Sequence, residues 1–128
     1  MIPEDLKYSR EHEWVRVEGG VATVGITDHA QQEMGDLVFV ELPTPGDTLE
    51  AGQPLGTVES VKAVSEVFSP VSGKVSEVNE TLLDHPERIN EDPHGEGWIA
   101  RVTLGTDGVP SDLMDAAGYA AYLDAGGD

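Results

Sequence analysis

Cysteine is absent from the 128-residue chain. That excludes a disulfide framework, a thiolate metal site and a cysteine nucleophile. Basic residues are scarce: seven Lys plus Arg stand against 25 Asp plus Glu, for a formal net charge of −18. Such a chain cannot assemble the basic footprint of a nucleic-acid binder, and the same charge opposes docking on an anionic membrane. No run approaches the ~18 consecutive apolar residues of a membrane span. Met1-Ile2-Pro3-Glu4-Asp5-Leu6-Lys7 lacks the apolar stretch of a signal peptide and is not an Arg- and Ser-rich transit sequence. A bacterial cytoplasmic location is expected; a mitochondrial matrix protein that had lost its presequence would read the same way. Recognised catalytic motifs are missing too. There is no HExxH, Gly-x-Ser-x-Gly, P-loop or Gly-x-Gly-x-x-Gly, and the four histidines (His12, His29, His85, His94) show no ligand spacing.

The length predicts one domain, residues 1–128, with a single modest core. So acidic a chain repels its own copies, so a monomer is expected, steered towards electropositive partners. An acid-rich proteome adapted to salt would leave the same composition.

Glycine (15) and proline (8) are spread along the chain, which predicts many short elements with frequent turns. Trp14–Glu18 and Val21–Val24 flank Gly19-Gly20 as a β-hairpin. Thr27 or Asp28 caps a short helix over His29–Met34, ended by Gly35. Leu37–Leu42 reads as a nearly continuous apolar strand, and a weaker strand lies near Asp47–Glu50. Leu55–Glu59, Val64–Phe68 and Lys74–Val78 follow as strands. Asn79–Leu83 and Pro86–Ile89 are short helical pieces. Asn90–Gly97 is a loop that leads into a last strand, Trp98–Val102, with Trp14 and Trp98 packing in the core. Ser111 is expected to cap a C-terminal helix running through Leu113-Met114 and on past Gly118. Short strands with turns favour a compact sandwich or barrel.

Lys7, Lys62 and Lys74 are the only lysines. Lys62 falls between two strand-like runs separated by few residues, so a tight hairpin puts it at an exposed tip. An exposed amine on a rigid protrusion suits covalent attachment of a prosthetic group. On spacing alone a solvated turn lysine is the simpler reading, although the turn lacks the Asn-Gly or Asp-Gly chemistry of a structural hairpin.

Glu59-Ser60-Val61-Lys62-Ala63, followed by Ser69-Pro70-Val71-Ser72-Gly73, resembles the lipoyl-lysine region of the glycine cleavage system H proteins. His12-Glu13-Trp14, Gly25–Gln31, Gly35–Pro43 and Asn90–Trp98 resemble that family too, and in its order. The likeness spans about residues 6–102, and the C-terminal helical extension, about 111–125, also fits. It implies a mainly β, hammerhead-type (lipoyl/biotinyl-like) sandwich of two small antiparallel sheets, with short peripheral helices and a C-terminal helix. It implies a carrier rather than an enzyme, with (R)-lipoate joined by a lipoylating enzyme to Lys62, within a lipoylation motif of Glu59, Ser60, Val61 and Ala63.

The implied partners are a pyridoxal-phosphate glycine decarboxylase, a tetrahydrofolate-dependent aminomethyltransferase and a flavin-dependent dihydrolipoamide dehydrogenase. The arm would take the aminomethyl group of glycine from the first to the second and be reoxidised by the third. The resemblance also implies a cleft that shields the loaded arm, between the His12-Glu13-Trp14 strand, the His29 helix and the hairpin. Glu13 is the leading candidate for its counter-charge, and Glu66 the second. Biotin carriers usually place Met on both sides of the lysine, where this chain has Val61 and Ala63. Lipoyl domains of 2-oxoacid dehydrogenase complexes commonly place Asp before it. A lipoyl or biotinyl carrier of another complex is therefore the weaker alternative.

Overall fold

Gly19 and Gly20, at φ 57° and 80°, turn the chain between β2 (Glu13–Glu18) and β3 (Val21–Ile26). Two consecutive left-handed residues match the right-handed twist of a hairpin, which is why glycine stands at both. The computed structural model describes residues 2–105 and 108–126. Around this hairpin a six-stranded antiparallel sheet forms in the order β1-β2-β3-β9-β8-β5. Its other strands are β1 (Lys7–Tyr8), β5 (Thr48–Leu49), β8 (Gly73–Val78) and β9 (Ala100–Leu104). A second, three-stranded sheet has the order β4-β6-β7, from β4 (Leu37–Glu41), β6 (Pro54–Ser60) and β7 (Val64–Phe68).

The two sheets share one apolar core. Val15, Val24, Val75 and Val102 from the larger sheet meet Val40, Val58 and Val67 from the smaller, closed by Leu82 and Ile89. Those last two come from single-turn helices, α2 (Thr81–Asp84) and α3 (Arg88–Glu91). A separate aromatic cluster of Leu6, Tyr8, Trp14 and Tyr119 anchors the chain ends. Tyr8 stacks on Tyr119 at 4.6 Å between ring centroids. Tyr119 belongs to α4 (Ala116–Asp124).

Helix α1 (Asp28–Met34) takes Thr27, the first of the two expected caps, and so starts at Asp28, one residue early. The Thr27 side chain accepts from the Ala30 N–H, and Gly35 at φ 81° closes it with its own N–H on the Gln31 carbonyl. Asn90 then fixes the exit. Its Nδ2 donates to Gly35 O and to Gln31 Oε1, and its Oδ1 accepts from the Leu37 N–H, each at 2.9 Å.

Three expectations are corrected. Ser111 does not cap the C-terminal helix; Asp115 does, accepting from Gly118 N at 2.8 Å. Leu113-Met114 is extended instead, because Met114 exchanges both backbone hydrogen bonds with Tyr8 at 2.7 Å. Pairing with β1 outcompetes a first helical turn there. The last strand starts at Ala100 rather than Trp98, since the Trp98 N–H closes the preceding loop on Gly95 O. Trp98 is half-buried and packs against the aromatic cluster, with the Arg101 guanidinium 4.1 Å above its ring. Trp14, by contrast, is fully buried, as expected.

Candidate functional site

Lys62 sits in the turn between β6 and β7. The last ladder pair is Glu59 with Val64, and the Ser60 N–H closes the loop on Ala63 O at 2.8 Å. The Ser60 hydroxyl, buried beneath the turn, accepts from Lys62 N at 3.3 Å and from Ala63 N at 3.1 Å. A serine oxygen that satisfies the backbone two and three residues ahead replaces the Asn-Gly chemistry the sequence lacks. Val61, Lys62 and Ala63 are all exposed. Among the described residues no hydrogen bond or ion pair engages the Lys62 ammonium. Glu59 is half-buried on the sheet below.

The lysine stem lies over the end of α1. A Cβ placed on Gly35 would stand 3.4 Å from Lys62 Cε and 3.9 Å from its Nζ. Gly35 therefore serves two needs: its φ of 81° is strained for any L side chain, and its bare Cα leaves room for the lysine. Beside α1 lies an open cleft of about 420 Å³, lined by Met34, Glu33, Ala30 and His29 on one side and by Ser65, His12 and Glu11 on the others. His12 is held in a left-handed conformation, φ 67°. Its Nδ1 shares a 2.8 Å hydrogen bond with the Tyr119 hydroxyl, which also lies 2.8 Å from Thr27 Oγ1. The cap of α1, the cleft wall and α4 are thus joined at one phenol. Burial pushes the Tyr119 hydroxyl up to about 12.

Glu13 faces a neighbouring groove of about 370 Å³, beside Ser9, Phe68 and Ser69, and Glu11 lines both spaces. Glu13 is 3% exposed. Its Oε1 accepts from Ser9 Oγ at 2.5 Å and its Oε2 from the Phe68 N–H at 3.3 Å. Burial nonetheless raises its carboxyl from 4.5 to about 7, because desolvation outweighs the two hydrogen bonds and Glu11 adds a like charge. Glu66 is exposed and pairs in register with Thr57, on the opposite face of the sheet from Ser65. The period-two alternation of β7 turns Ser65, not Glu66, into the cleft. The structure thus puts His29 in the cleft and Glu13 in the adjoining groove, and brings Glu66 to neither. Reading the sequence missed Gly35 as the residue under the lysine stem and Met34 and Ser65 as lining of the cleft. Only the glycine after a capped helix signals one of them.

The β framework thus holds the exposed Lys62 amine at the tip of a hairpin, over the end of α1. The sequence pattern of the glycine cleavage H-protein family matches residues 6–126. The H protein of the glycine cleavage system of Rubrobacter xylanophilus is 58% identical over 123 residues, covering 96% of this chain and 95% of its own. That of Herpetosiphon aurantiacus is 55% identical over 122 residues, covering 95% and 93%. The crystal structure of a glycine cleavage system H protein from Mycobacterium marinum superimposes with a TM-score of 0.89 at 41% identity, over 96% of this chain and 99% of that one. The chain belongs to the glycine cleavage H-protein family. Its role is that of a lipoyl carrier in glycine cleavage, not of an enzyme in its own right. No helix among the described residues is long and apolar enough to cross a membrane.

Proposed function

We propose that Lys62 is the residue to which lipoate is joined in amide linkage. The observation that carries this reading is the exposed Lys62 amine on a turn braced by Ser60. The surroundings fit such a group: a free ammonium stem, a glycine that leaves room under it, and a cleft of partly apolar lining beside α1. When bound, lipoate supplies a disulfide–dithiol couple that takes up and gives up a one-carbon amine unit.

The chain's own residues have three tasks in this reading. Ser60 fixes the backbone of the turn, so the arm pivots at the lysine stem and not at the hairpin. Ala30, Met34 and Ser65 line a resting place that holds water away from the arm between encounters. Glu13 offers a carboxylate to an ammonium entering the adjoining groove; a cation there would favour its ionised form. The proposed partners are the glycine decarboxylase, the aminomethyltransferase, dihydrolipoamide dehydrogenase and a lipoylating enzyme. The proposed compartment is a bacterial cytoplasm, in keeping with the bacterial relatives.

Expression with lipoate and a lipoate ligase, followed by peptide mass mapping, tests the assignment. The expected product carries one lipoyl group, on Lys62, and one positive charge fewer than the unmodified chain. Lys62→Arg should accept none and support no glycine decarboxylation above background, with its unfolding transition unchanged. Modification at Lys7 or Lys74 would overturn the reading.

A further inference from the structure

The smaller sheet has two faces, and its outer one carries an unusual load. Cross-strand register places Phe39, Glu59 and Val64 in one row, and Glu41, Thr57 and Glu66 in the next. Phe39 is 53% exposed and Val64 66%. The register shift between Leu37 and Phe39 leaves Val38 51% exposed, and Val61 in the turn is 87% exposed. Isolated exposed apolar residues are ordinary, but a cluster at one end of one sheet marks an interaction surface. Glu41, Glu59 and Glu66 border it, and no Lys or Arg lies on these three strands.

We infer that this outer face is a docking surface for a protein partner whose contact region is an apolar recess rimmed by Lys or Arg. The local charge selects that occupant. A second copy of this chain would set carboxylates against carboxylates, and an anionic bilayer would be repelled in the same way. An apolar recess with a basic rim buries the valines and phenylalanine and pairs the glutamates. The inference rests on the proposed role of Lys62 and adds which side of the hairpin is engaged. Ser65, from the same strand, faces the α1 cleft. Docking on the outer face therefore leaves the cleft open while Lys62 is presented at the partner's entrance.

The test compares lipoyl-loaded wild type, Phe39→Ser/Val64→Ser, Glu41→Lys/Glu66→Lys and Val17→Ser as substrates of the glycine decarboxylase from the same organism, with loading equalised by intact mass. Val17 is an exposed apolar residue on the other sheet. The apparent KM for the carrier is expected to rise about tenfold in both double variants, with kcat unchanged and Val17→Ser at the wild-type value. A wild-type KM in both double variants overturns the inference. So does a sedimentation shift from dimer to monomer in them, which would assign the face to self-association. If wild type takes no lipoyl group on Lys62, the reading of Lys62 fails. Titration of the unmodified chains against the same enzyme then judges the face: equal affinities overturn it, and a weakened pair of double variants sustains it. The charge-reversed pair keeps every apolar residue, so it reads the face even if the serine variant unfolds.

Discussion

In the six-stranded sheet, Tyr8, Trp14 and Val15 are sealed from solvent; in the three-stranded sheet, Val38, Phe39 and Val64 stand in it. Both sheets bury one face in the common core, yet among the described residues only the larger has its end wrapped by the aromatic cluster and α4. The contrast separates two uses of apolar surface. In the larger sheet it stabilises the fold. In the smaller it is left uncovered at the end where Lys62 emerges.

The largest test of this contrast is Trp14→Ala. Emptying a fully buried indole costs about 3–5 kcal/mol, and the hydrogen bond from Nε1 to Pro93 O, 2.8 Å long, is lost with it. Val64→Ala should stay within about 0.5 kcal/mol. Chemical denaturation of the two variants checks the pair; equal losses would erase the distinction.

Glu13→Gln probes the seam between the sheets, since Glu13 starts β2 and holds the Phe68 amide at the end of β7. A carboxyl raised from 4.5 to about 7 stays neutral in the folded chain where the unfolded chain has ionised. Its contribution is therefore fully present below pH ~4.5, declines as pH rises towards ~7, and is gone above that. The variant should lose this slope and exceed wild type at pH 8 by on the order of 3 kcal/mol. Thermal melts across that window decide it, and parallel pH profiles would mean that Glu13 titrates normally.

The smallest expected effect is that of Ser60→Ala, about 1 kcal/mol for the hydroxyl that braces the turn. Amide exchange at Ala63 should quicken, with the Lys62 amine still available to a ligase. Unchanged exchange would show that the Ser60–Ala63 backbone bond alone holds the loop.

Much of the fold was legible because local signals and tertiary packing agree. Gly19-Gly20, the Thr27 cap and the Gly35 stop each act within a few residues, and the structure follows them. The lysine turn was legible for the same reason. The C-terminal helix start was not. Ser111 is an adequate cap by type, but Met114 is claimed by Tyr8, more than a hundred residues away, and no local pattern encodes that pairing. The cleft was legible in outline only. Its walls arise where α1 meets β7, so which of Ser65 and Glu66 faces inward depends on strand register. Glu13 could be named as a carboxylate beside Trp14. Its near-complete burial and raised carboxyl come from the packing of β2 against Phe68 and Ser69.

The alternation along β7 also gives the hairpin a reading frame. Val64 and Glu66 look outward, Ser65 looks to the cleft and Val67 to the core. Inserting or deleting one residue between Val64 and Val67 would exchange the two sides next to the lysine, unless a bulge absorbed it. A change of two residues would restore them. In descendants of this chain, length variation should therefore be tolerated in the loops and enter β7 only in even steps.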